Sequence, residues 1–313
     1  MIKITASLFI ATLLSLCLNL ASAQAQYVRT CVSAKGSDAN TCHCSQPCRS
    51  FARAHDQTLE QGVITVLDPG NYGRLDITKS ISIVNDGVGE ASILVSGGAT
   101  GITINADPAA NVNLRGLTIQ GVGGDSLGVL FNTGSSATME NCVVRNHSGS
   151  GLHFNPRSKT SIAVSNTLVA DNGGHGIVLQ PLGSDVVVKA VFNRVKAFNN
   201  SGRGLVVSGS ASVGEIDVSV ADSIASSNGG SGFGVVTRSA LSNVMLVRSL
   251  AATNGIGLEA AGVNATLRIG QTTVTGNRAS SSIQNGAVLR SYGDNYITGN
   301  GDGDPAPTTI AKK

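Results

Sequence analysis

DSIASSNGGSGFGVV (222–236) carries the pattern that decides the fold: a short apolar run, an Asn, a Gly and a second apolar run. The phrase recurs as ENCVVRNHSGSGLHF (140–154), SNTLVADNGGHGIVL (165–179), NRVKAFNNSGRGLVV (193–207) and RSLAATNGIGLEAA (248–261). With Asn146, Asn172, Asn200, Asn228 and Asn254 as landmarks, the steps are 26, 28, 28 and 26 residues. Self-similarity at this period marks a stacked chain, in which each repeat buries its apolar face only against its neighbours.

Aligning the glycine after each Asn turn, from Gly101 through Gly151 and Gly204 to Gly286, extends the pattern in both directions. The next residue is Ile102, Leu152, Leu205 or, in the last copy, Ala287; two further on stand Ile104, Phe154, Val207 and Leu289. Alternate positions are apolar, so one face of this strand points inward. A second inward column reads Leu117, Cys142, Leu168, Ile224 and Leu250; a third reads Leu114, Met139, Val164, Leu246 and Ile269. The fold expected is all-β: a parallel β-helix with three short strands per coil and coils about 4.8 Å apart. One coil resists. Strict counting turns Lys196 inward, so a one-residue bulge presenting Val195 is expected instead, because an unpaired buried Lys is costly. The glycines are expected to supply positive φ or a tight corner. The Asn positions, and a second series through Asn105, Asn132, Asn155, Gln180 and Ser208, read as stacked amide ladders.

The flanks read differently. Lys3, the apolar run 6–20 and Ala21-Ser22-Ala23 have the layout of a signal peptide over residues 1–23, which implies a secreted, periplasmic or cell-surface protein. The apolar run is short for a bilayer and no later one is longer, so no membrane insertion is expected. Residues 24–62 read as a Cys-rich cap. Cys31, Cys42, Cys44 and Cys48 form two disulfides in three alternative pairings, with a zinc site near His43 as the weaker alternative. Cys142 reads as a buried free thiol. A helix capped by Ser45, opened by Pro47 and running about four turns to Gly62 would close the first coil. Residues 63–300 form the β-helix, and the polar, Pro-containing stretch 301–313 reads as a loose tail. The formal charge of +3, without a basic run, argues against nucleic acid as a partner. With no Trp and 4% aromatics, the core must be aliphatic.

Two stretches, GSDAN…PCRSFARA (36–54) and ITVLDPGNYGRLDITKSISIV (64–84), followed by Asn-Gly coils, resemble the secreted right-handed parallel β-helix proteins of the pectate-lyase-like superfamily, in its broad repeat-containing branch. The resemblance covers nearly all of the chain after residue 23. It implies the right-handed β-helix fold. The superfamily includes polysaccharide lyases, hydrolases, esterases and epimerases as well as noncatalytic surface proteins, so the resemblance identifies no reaction.

The polar column six residues before each Asn turn includes Arg115, Glu140, Arg194, Asp222 and Arg248. It reads either as a surface ladder that sets register or as a binding track for a polysaccharide or glycan. A lyase would need clustered carboxylates for calcium and a nearby base, and a glycoside hydrolase two carboxylates across a cleft. Asp171, His175, Arg194, Asp217 and Asp222 are the candidates, and they form no recognisable motif. No metal site and no cofactor is expected, apart from calcium if the protein is a lyase. His153 is an outward strand position. Outward Leu130, Val178, Val206 and Val288 suggest a partner surface, although an oligomer is not favoured. The leading functional reading is a noncatalytic surface or envelope module engaging glycan. The alternatives are a polysaccharide-degrading enzyme and a protein-interaction scaffold.

Overall fold

A computed structural model describes residues 26–124 and 127–312; the expected signal peptide lies outside the described residues. Every coil visits three parallel sheets in turn. One coil contributes Ser136–Glu140 to the first sheet, Val143–Arg145 to the second and Leu152–Phe154 to the third. The next adds Thr160–Ser165, Leu168–Ala170 and Ile177–Leu179 directly beside them. Among the described residues the sheets hold twelve, ten and nine strands.

Two of the expected inward columns are present. Leu114, Met139, Val164, Leu246 and Ile269 are buried in the first sheet. Ile102, Val129, Leu152, Ile177, Leu205 and Phe233 stack in register in the third. That column ends differently from the expectation. Leu258 pairs with Ser281 and Ala260 with Ile283, whereas Leu289 pairs with Leu267 in the first sheet. The second column holds at its first two members, Leu117 and Cys142, which are buried as expected, and is displaced by one residue in the coils that follow. Val144, Val169, Ala197, Ala225, Ala251 and Val274 fill it, and Leu168, Ile224 and Leu250 are half-exposed beside them. Lys196 aligns with Leu168 and Ile224 without any register shift, so no bulge is needed: its whole row faces outward.

The corners explain the displacement. Between the first and second sheets one residue sits in the left-handed region, at φ 47° for Asn166, 52° for Arg194, 50° for Asp222 and 46° for Arg248. A buried hydroxyl residue follows. Ser223 Oγ donates to Ala221 O at 2.7 Å and accepts from Val195 N at 3.1 Å, and Thr167 and Ser249 repeat the first bond. Cys142, a buried free thiol, fills the same column, and burial pushes its pKa up to about 11.

Between the second and third sheets another left-handed residue precedes a buried ladder. Asn200 donates its backbone N–H and its Nδ2 to Asn228 Oδ1 at 3.1 and 2.9 Å, and Asn228 repeats both bonds to Asn254 at 3.0 and 2.9 Å. The ladder begins at His147, whose N–H donates to Asn172 Oδ1 at 3.1 Å; Asn146 occupies the preceding left-handed position. The glycine column has a packing role here, and of the expected series only Gly286 has the positive φ, 77°. Gly204 has no positive φ, but a Cβ there would lie 2.7 Å from Gly232 O and 2.8 Å from Asn228 Nδ2.

Both ends are closed. The disulfides pair Cys31 with Cys44 and Cys42 with Cys48. Tyr27–Val32, inside the Cys-rich cap, is the first strand of the first sheet and pairs with Thr58–Val66. The helix, α1, is shorter than expected and covers only Phe51–Gln57, with Ser50 as its N-cap. Cys48 is held beside Val32 by a bridge and by its disulfide, so the chain cannot turn helical before Ser50. Thr58 then pairs with Tyr27, and Leu59 is exposed on that strand. Phe51 and Ala54 do join the core. At the other end the residues expected to be loose fold back. Thr308–Thr309 pairs with the first sheet, and Lys312 Nζ lies 2.8 Å from Asp294 Oδ2. Asp304 Oδ1 accepts from Asn300 N and Nδ2 at 2.9 and 2.8 Å, taking the place of the next Asn in the ladder.

Candidate functional site

The outer face of the first sheet presents two rows of side chains in strand register. One reads Ser161, Lys189, Asp217, Asn243 and Thr266; the other reads Thr138, Ala163, Val191, Ser219, Met245 and Arg268. The inward residues between them, such as Ala190 and Val218, are fixed in the core, so these rows must face solvent. Small Ala163 and Ser219 lie between larger neighbours and leave a groove of about 630 Å³. It meets a second hollow of about 710 Å³ at Met245 and Arg268, walled by Tyr292, Ile310 and Lys312. The folded-back tail thus helps to build this face. Asn243 Nδ2 donates to Asp217 Oδ1 at 3.2 Å. Lys189 and Arg268 make no hydrogen bond or ion pair among the described residues, so their charges are available to a ligand.

The polar column read from sequence splits in two. Arg194, Asp222 and Arg248 occupy the left-handed corner, whereas Arg115 and Glu140 face each other one residue earlier, at the end of first-sheet strands. The cause is the Asn146 landmark, one residue short of the ladder position at His147. Most of this column is committed internally. Arg248 Nε and the other end of its fork donate to Asp222 at 2.8 and 2.9 Å, Arg115 pairs with Asp86, and Arg194 Nε donates to Asn166 Oδ1. The Arg248 hydrogen bond holds the Asp222 carboxyl below its usual range.

The five catalytic candidates are not brought together. Asp217 is on the first-sheet face, and Arg194 and Asp222 are on one corner. Asp171 is on the other corner, where it accepts from Asn199 Nδ2 at 2.7 Å. His175 Nδ1 accepts from Arg203 N–H at 2.8 Å, and burial together with the Arg203 charge lowers its pKa. Arg203 crosses the outer face of the third sheet beside Gly234 and forks onto Glu259 at 2.6 and 2.8 Å. Burial alone would raise the Glu259 pKa, but hydrogen bonds from Arg203 and Ser231 bring it below its usual value. This clasp was not read from sequence: its arginine and glutamate are 56 residues apart. The available signal was Gly234, a glycine at an outward strand position between them. His153, on the same face, is half-buried and its pKa is lowered by burial. Val178 and Val206 are 5% and 4% exposed, and Val288 belongs to the first sheet, so the expected apolar strip is not an open surface.

Residues 75–244 match the family model described as a right handed beta helix region. The chain belongs to the right-handed β-helix family. Among curated proteins, none matches this family member in sequence. The crystal structure of pectate lyase Pel9A superposes with a TM-score of 0.63 at 16% identity, over 90% of this chain and 77% of that one. The A-module of the Azotobacter vinelandii mannuronan C-5 epimerase AlgE4 gives 0.47 at 13% identity, over 80% of this chain and 91% of that one. A rhamnogalacturonan lyase gives 0.46 at 13% identity, over 79% and 74%. At such identities the likeness to Pel9A establishes the shared β-helix and no more. The calcium considered for a lyase does not fit the acids of this β-helix. Among the described residues no three His, Cys, Asp or Glu side chains gather to hold a metal, and Asp171 and Asp222 are already bonded to Asn199 and Arg248.

Proposed function

We propose that this β-helix protein is an exported, noncatalytic module that holds a polysaccharide along the outer face of its first sheet. The carrying observation is the continuous groove from Ser136 to Lys312, in which Lys189, Arg268 and a series of hydroxyl and amide groups face solvent at the spacing of the coils. A polymer laid along the axis would meet an equivalent position on each coil. Tyr292 supplies the one aromatic surface that the two hollows contain. Arg203 with Glu259 and Arg248 with Asp222 bind one another, whereas Lys189 and Arg268 on the first-sheet face keep their charges for a ligand. The two disulfides support an oxidising, extracellular setting. The fold shared with a pectate lyase supports a carbohydrate as the partner class.

The test is a panel of neutral and uronic-acid polymers, with binding followed by calorimetry and new double bonds by ultraviolet absorbance, with and without added calcium. The expected result is binding without absorbance change, weakened by Lys189→Gln. Sustained turnover would remove the noncatalytic reading, and absence of binding across the panel would remove the polysaccharide.

A further inference from the structure

Arg268 and Arg290 are register partners in adjacent coils of the first sheet. Leu267, Ile269 and Leu289 beside them are buried, so both arginines point outward from the same row. Their Cα atoms are therefore about one strand spacing, ~4.8 Å, apart. Like charges placed directly opposite each other destabilise a sheet. Three other outer arginines have an acidic partner, Arg115 with Asp86, Arg203 with Glu259 and Arg248 with Asp222, and Arg145 and Arg194 bond to the amides of Gln120 and Asn166. Neither Arg268 nor Arg290 makes a hydrogen bond or ion pair among the described residues, although both are half-buried. Asp294, on the hollow that Arg268 lines, is taken by Lys312. The tail also walls the site: Thr308 follows Arg290 in the same row, and Ile310 and Lys312 line the hollow.

We propose that Arg268 and Arg290 together bind a tetrahedral oxyanion, the sulfate or phosphate ester of a substituted polysaccharide. One guanidinium fork satisfies a planar carboxylate, whereas an ester group with three terminal oxygens can engage two forks at once. Binding would also remove the repulsion between the two cations. The proposal rests on the groove reading above and gives it a selectivity.

The experiment compares dextran, dextran sulfate, dextran phosphate and polygalacturonate on the wild type, R268Q, R290Q and the double variant. A parallel arm follows melting temperature in sodium sulfate against sodium chloride of equal ionic strength. The wild type should hold one or both esterified dextrans about tenfold more tightly than dextran or polygalacturonate, and each single variant should lose several-fold of that preference. The two esterified polymers tell a sulfate site from a phosphate site. Sulfate should stabilise the wild type more than the double variant, and R290Q alone should not lower the melting temperature. Equal binding of the esterified polymers by the double variant, or equal sulfate stabilisation of both proteins, would overturn the oxyanion site. Binding of all polymers alike would overturn it while leaving the groove reading intact. Sulfate stabilisation specific to the wild type with no polymer bound would support the site and overturn the groove reading.

Discussion

At the scale of single residues, this fold depends on positions where a side chain must be absent or must both give and accept hydrogen bonds. Gly204 belongs to the first kind. Its backbone is ordinary, but a methyl group would press on Gly232 O and Asn228 Nδ2. Gly204→Ala should cost about 1–3 kcal/mol through overpacking, read as a fall in melting temperature. His175 gives a pH dependence. Burial and Arg203 lower its pKa in the fold, so the unfolded chain, with a value near 6.5, takes up a proton first as pH falls. Stability is fully present above pH 6.5 and should decline as pH drops below it toward the folded-state value. His175→Gln should reduce the fall of the melting temperature below about pH 6.5. An unchanged slope would show that His175 contributes nothing to it. Sequence alone could not assign these roles. A glycine four residues after an Asn looks like part of a turn, and only the stacked neighbours reveal that it makes room for an amide one coil away.

At the scale of the element, the second sheet is where pattern and structure part. Leu168, Ile224 and Leu250 are apolar and stand at the same distance before the ladder Asn of their coils, which makes them look like core. The inward residues are the smaller Val169, Ala225 and Ala251 beside them. Thr167, Ser223 and Ser249 are buried beside them, their hydroxyls satisfied by backbone carbonyls that no one-dimensional pattern displays. Substitution separates the assignments: Val169→Asp should unfold the protein or lower its melting point severely, since it buries an unpaired charge, while Leu168→Asp should be mild. The reverse order would mean that the register is wrong by one residue. The ends make a second prediction. Asp304→Leu would leave the Asn300 N–H and one of its two amide hydrogens without an acceptor, at about 1–3 kcal/mol. Hydrogen exchange should rise first in the last coil, around residues 295–300, and little at Tyr27–Val32. Reducing the two disulfides should give the opposite profile, with Tyr27–Val32 and α1 exchanging first.

At the scale of the whole molecule, the period, the three-sided tube and two of its three core columns were legible because stacking makes every coil repeat the same burial. The candidate site was legible only in part. Of the groove residues only Asp217 was picked out as a charged outward position, but its neighbours lie one coil away, about 28 residues along the chain, and the wall made by the tail lies further still. Arg268 was not singled out because its distinction is the lack of a counter-charge, which only the assembled surface can show.

The amide series that ends at Asp304 has one more consequence. Each Asn hands its backbone N–H and one amide hydrogen forward, returns the other amide hydrogen to a carbonyl of the preceding coil and offers its oxygen backward, whereas a carboxylate can only receive. The stack therefore has a polarity and a chemical full stop. A duplicate of residues 200–227, spliced in ahead of Asn228, would lengthen the rod by one ~4.8 Å rung and keep every handover intact. The same cassette attached beyond Asp304 would find no donor to join, so the protein can be extended from within but not from its tip.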